Sequence, residues 1–150
     1  MRKAFVIVSI LLLVSFVLQF VFAAVGGFTK PAGDGAYALH SVNGMAVIPV
    51  LTVLTALFAA LAKAPGRIIG LAVLPIGLVV VQALIAMLAN ASTDAAGVST
   101  PLGLTIAGLH AVNGIVAVHV VVAVVRAARQ LDRPELVAAA PVTVREGEPA

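Results

Sequence analysis

Two copies of one short motif hold the residues best suited to chemistry in this chain. His40-Ser41-Val42-Asn43-Gly44 and His110-Ala111-Val112-Asn113-Gly114 agree at four of five positions, and Leu39 and Leu109 precede them. On a helix, positions i, i+3 and i+4 share a face, so His40, Asn43 and Gly44 form one stripe and His110, Asn113 and Gly114 its equivalent. A glutamine also recurs, Gln19 in Val17-Leu18-Gln19-Phe20-Val21 and Gln82 in Val80-Val81-Gln82-Ala83-Leu84. Neutral imidazole is a good iron ligand when its second ring nitrogen has a hydrogen-bond partner. His40 and His110 are therefore read as the two axial ligands of one heme b. Gln19, Gln82, Asn43 and Asn113 would orient them, and Gly44 and Gly114 would leave space for a porphyrin edge. A plainer reading stands beside this. Amides in membrane helices usually act as interhelical hydrogen-bond glue worth about 0.6 kcal/mol each, and small residues there often serve close packing. For the amides, glue is the commoner role. For the histidines, recurrence of the same residue at the same depth favours ligation.

The elements that must position these residues are four apolar runs. The chain of 150 residues is 62% hydrophobic and 10% charged, too apolar for a soluble domain of that size. Runs at Phe5–Val25, Leu39–Ala62, Ile68–Ala89 and Leu104–Val125 contain no Asp, Glu, Lys or Arg. Each approaches the roughly 20 residues that span a bilayer as a helix, and none alternates with the period of a barrel strand. Gly- and Pro-bearing segments separate them at 26–38, 63–67 and 90–103. Pro49 and Pro75 lie inside the second and third runs, where proline is tolerated and is expected to kink the helix. The fold class expected is an all-α membrane protein, a four-transmembrane-helix bundle made of two helical hairpins, residues 1–62 and 63–126. The transmembrane domain is expected to cover 1–128. Arg126–Arg133 would carry the fourth helix into water, Pro134 would end it, and 129–150 are assigned to a disordered cytoplasmic tail.

Orientation follows from the basic residues. Arg2, Lys3, Lys63, Arg67, Arg126, Arg129, Arg133 and Arg145 fall on one side and only Lys30 on the other, which places both termini in the cytoplasm of a multi-pass cell-membrane protein. The first run resembles a signal peptide in having Arg2 and Lys3 before it and Val21-Phe22-Ala23 near its end, but its apolar core exceeds the usual length, and retention is expected. In this topology both histidines and both glutamines sit toward the outer face. Corresponding helices of the two hairpins run the same way, as in parallel membrane repeats.

Several function classes are excluded. Without cysteine there is no disulfide, thiolate metal site, iron–sulfur cluster or covalent heme attachment. No phosphate-binding Gly-rich loop, HExxH or GxSxG is present, and the apolar runs hold no acid pair, so no catalytic residue is assigned. The net charge of +3 sits at helix ends rather than on a basic and aromatic surface, which argues against nucleic acid. Basic residues 126–133 anchor topology and are placed to meet anionic lipid heads. His119, nine residues after His110, faces another way and is expected to bond a backbone carbonyl. Lys30 is placed where it could pair with a heme propionate.

At His40 to Gly44 and His110 to Gly114 the chain resembles an uncharacterised family of small four-helix bacterial membrane proteins that carry His-x-x-x-Gly at the start of the second and fourth helices. The resemblance covers residues 1–128. More distantly the chain is similar to b-type cytochrome bundles and to one four-helix half of the heme A synthase family. In that family, histidines of the second and fourth helices bind heme near the outer face, which implies the same place for His40 and His110. The chain departs from heme A synthase in having one bundle and no membrane carboxylate. That leaves heme ligation, for electron transfer or heme sensing, rather than heme modification. A redox partner, a larger membrane complex or a homo-oligomer would be its associates. The alternative is a non-catalytic accessory subunit whose polar layer only holds helices together.

Overall fold

A computed structural model of the chain describes residues 1–31, 33 and 35–133. Four helices, Arg2–Phe28, Ala38–Leu61, Gly66–Ala91 and Pro101–Asp132, are each long and apolar enough to cross a membrane. Among the described residues there is no strand, only an isolated bridge between Thr93 and Ser99 in the third loop. The first helix packs on the second and fourth, and the third also packs on the second and fourth. The second and fourth therefore stand diagonally opposite, as the two-histidine reading requires.

Each helix starts or stops for a local reason. Thr100 caps the fourth, its hydroxyl oxygen accepting from Gly103 N–H at 3.1 Å, and Pro101 follows where its missing N–H is harmless. The second helix closes with paired bonds, Lys63 N–H to Ala60 O and Ala64 N–H to Ala59 O, with Lys63 at a φ of 56°. That is a Schellman closure with lysine in the left-handed position that usually holds glycine. The fourth helix runs through Asp132, so the tail does not begin at residue 129: Val124, Val125 and Ala128 are buried, and their packing carries the helix on to its last turn. It ends at Arg133, the residue that Pro134 keeps from helical geometry. The rest of the expected tail, including Arg145, lies outside the described residues.

Proline acts differently in the two helices that contain it. Pro75 is buried within an uninterrupted third helix. In the second helix, Asn43–Val47 form a π-helical turn, with Ile48 N–H donating to Asn43 O. Pro49 cannot donate to the carbonyl of Met45, and a wider turn just before it is the form in which this helix accommodates the missing bond. The π turn begins at Asn43, inside the duplicated motif. The fourth helix is regular through its own copy.

Along the bundle the interior falls into three layers. At the end holding Lys63, the core is Phe5, Ala59, Ala62, Ala64, Ala72, Val124 and Ala128. Leu12, Phe16, Ile48, Ala117 and Val121 form the middle layer. Above it lie the histidines and their amides. Large aliphatic side chains such as Leu57, Val80 and Leu104 cover the outside, an apolar surface far beyond what a soluble monomer shows and suited to lipid.

Candidate ligand site

The first and second helices are clasped by a reciprocal pair of bonds. His40 Nδ1–H donates to the backbone O of Gln19 at 3.1 Å. The side-chain amide of Gln19 donates to the backbone O of His40 at 2.9 Å. A carbonyl oxygen only accepts, so Nδ1 must carry a proton, and in the neutral ring Nε2 is then the nitrogen with the lone pair. Asn43 Nδ2 then donates to Gln19 Oε1 at 2.7 Å and to Ser15 O at 2.9 Å, while the Ser15 hydroxyl donates to Asn43 Oδ1 at 2.7 Å. Among the described residues every buried side-chain polar atom finds a partner, as an apolar surrounding demands.

The third and fourth helices are joined by the same bonds. His110 Nδ1–H donates to Gln82 O at 3.2 Å, and the Gln82 amide donates back to His110 O at 2.7 Å. Asn113 Nδ2 donates to Gln82 Oε1 and, at 3.0 Å, to Leu78 O. Leu78 stands where Ser15 stands and has no hydroxyl, so the second network lacks that one bond. His110 is thereby held in the same tautomer as His40.

The structure brings the histidines together. Their ring centres are 6.1 Å apart with the planes tilted by 43°. One metal ion bonded to a nitrogen of each ring, at roughly 2 Å per bond, would set the centres roughly 6 Å apart. Both rings line a cavity of about 280 Å³ between the four helices, with Gln19, Gln82, Asn113, Gly44 and Gly114 also on its wall. Phe16, Ile48 and Ala117 of the middle layer are its floor. Asn43, buried behind the wall, supports the clasp. Among the described residues no group of three or more His, Asp or Glu side chains could cage a metal ion.

Gly44 and Gly114 differ in what they accommodate. A Cβ at Gly44 would meet the Gln19 amide nitrogen at 2.7 Å, whereas one at Gly114 would approach only Phe20 Cζ at 3.4 Å and Gln82 Nε2 at 3.7 Å. Gly44 is thus needed first for its glutamine. His119 lies on the outer surface, its Nδ1–H donating to Ile115 O at 2.8 Å, as its isolated position predicts. Three contributors escaped sequence reasoning. Ser15 sits four residues before Gln19, a spacing that alone marks it as sharing the face. Tyr37 packs edge-on against His40, ring centres 6.2 Å apart, and over Gly26, where a Cβ would meet its ring at 2.5 Å. Met45 joins the cavity wall within the π turn, four residues after Ser41 on the same wall.

A family model described as a family of unknown function (DUF6220) matches residues 19–90. The matched stretch runs from Gln19 through His40 to Gln82 and stops before His110. No curated protein and no solved structure matches the chain. The likeness to cytochrome b bundles and to heme A synthase therefore rests on the residues of this chain alone.

Proposed function

We propose that this membrane protein holds one heme b between His40 and His110 and uses it for electron transfer or heme sensing. The observation that carries the reading is the 6.1 Å separation of two imidazoles whose Nδ1 atoms are both committed to backbone carbonyls. Each clasp leaves Nε2 as the ligating nitrogen and fixes its ring. Gln19 and Gln82 are positioning residues, and Asn43 and Asn113 hold the glutamines in turn. The likeness of the two clasps supports reading the chain as two repeated hairpins.

The donor set also favours a porphyrin over a bare ion. Two imidazoles and no carboxylate line the cavity. A free divalent cation there would keep uncompensated charge in a low-dielectric site, which is costly. A dianionic ring brings its own neutralisation. When bound, the heme would supply one-electron chemistry, with His40 and His110 as the residues that would hold it. The clustering of exposed Arg2, Lys3, Lys63, Arg67, Arg126 and Arg129 at one end of the bundle supports cytoplasmic termini and places the site toward the outer face of the cell membrane.

The test is the heme content of protein purified from heme-replete cells. About one heme per chain is expected for the unaltered protein, and none for the variant carrying both His40→Ala and His110→Ala. A colourless unaltered protein contradicts the reading and favours the accessory-subunit alternative, for which the interlocked amide network is the supporting observation.

A further inference from the structure

The cavity at the histidines does not end inside the bundle. Its wall residues Met45, Val79 and Ala83 also line a second hollow of about 350 Å³, completed by Pro49, Val80 and Met87 among others. That hollow lies between the second and third helices and carries no charged or amide side chain. Packing explains the gap. The third helix is contacted mainly by Ile48–Leu61 of the second, while Ala38–Val47 pack on the first helix. The two helices therefore close at the Lys63 end and part toward the histidine end, where the π turn leaves Met45 two-thirds exposed at the opening. A gap at this level, between helices that span a membrane, faces acyl chains and not water.

Size gives the gap a purpose. The central cavity falls just below the roughly 300–1,000 Å³ of ordinary small-ligand pockets, and a porphyrin is larger than the ligands that define the lower limit. The adjoining hollow, which shares Met45, Val79 and Ala83 with the cavity at the histidines, supplies further apolar space beside it. We infer that the macrocycle enters from the bilayer through the slit between the second and third helices, past Met45 and Ala83, and keeps an apolar edge in that slit once its iron is ligated. This inference rests on the heme reading above. It adds the route, and it makes the ligand's delivery form a membrane-dissolved one.

The absence of native cysteine allows a clean test. In the doubly substituted Met45→Cys, Ala83→Cys protein, a cleavable bifunctional thiol reagent bridges the slit. Heme-free protein in phosphatidylcholine vesicles is offered hemin already dissolved in those vesicles, and loading is followed by absorbance. Bridging is expected to slow loading at least tenfold, and cleavage of the bridge to restore the uncrosslinked rate. Equal loading with and without the bridge overturns the lateral route while leaving the heme reading intact. If neither the unaltered nor the uncrosslinked protein takes up hemin, the heme reading falls, and the route falls with it.

Discussion

At the scale of residues, the two glutamines are the positions where chemistry and stability meet. Each accepts a ring proton on its own backbone and returns an amide proton to the histidine backbone. Gln82→Leu removes the return bond and the acceptor that Asn113 uses. A loss of roughly 1–2 kcal/mol in stability is expected, from about 0.6 kcal/mol per membrane hydrogen bond plus one Asn113 N–H left without its acceptor, the other staying on Leu78 O. Resistance to unfolding by denaturing detergent measures it. Glycine substitutions should separate the two halves. Gly44→Ala forces a methyl to within 2.7 Å of a side chain already held by two bonds, whereas Gly114→Ala meets nothing closer than 3.4 Å. The first is expected to weaken the fold and the second to be tolerated; equal effects would contradict the geometry. These residues were legible because the motif occurs twice with helical spacing. Ser15 was not, since its counterpart is Leu78 and a lone serine in an apolar run more often bonds its own helix, as Ser9 does to Val6 O at 2.8 Å.

At the scale of elements, all four spans could be read from composition, because lipid leaves few alternatives to a long apolar helix. Their ends were less legible. The structure extends the first run to Arg2 and Phe28 and starts the fourth at Pro101, since helices continue past the hydrocarbon edge wherever no breaker stops them; the end of the fourth at Asp132 matches the expected extension through Arg126–Arg133. The π turn at Asn43–Val47 was hidden as well: Pro49 announces a disturbed hydrogen-bond ladder, but a kink and a widened turn answer it equally well from sequence. The Lys63 turn gives the prediction that belongs to this scale. A left-handed backbone costs a non-glycine residue roughly 1–2 kcal/mol, part of which glycine returns as lost chain entropy. Lys63→Gly is therefore expected to stabilise the protein by roughly 0.5–1 kcal/mol, read as a higher unfolding midpoint. A lower midpoint would mean that the lysine side chain does more than end the helix.

At the scale of the whole molecule, the layers assign separate tasks. The apolar layers at the Lys63 end and in the middle hold the helices together, and the polar layer above them frames the cavity with no buried side-chain polar atom unsatisfied among the described residues. The diagonal placement of the second and fourth helices was legible as an option that four short-looped helices permit; the 6.1 Å approach of the rings was not, because side-chain convergence depends on helix rotation that spacing alone does not set. Orientation is checked with single cysteines introduced into the native cysteine-free chain. A thiol at exposed Gly66 in right-side-out cells should resist a membrane-impermeant reagent, and one at exposed Ser99 should react; the reverse pattern would invert the topology.

The proposed sharing of one iron by His40 and His110 is tested most directly by electron paramagnetic resonance of the purified ferric protein. A low-spin signal from two axial nitrogens is predicted for the unaltered protein, with conversion to a high-spin signal or loss of heme in His40→Ala and in His110→Ala. A high-spin signal from the unaltered protein, or a low-spin signal that survives both substitutions unchanged, would contradict it.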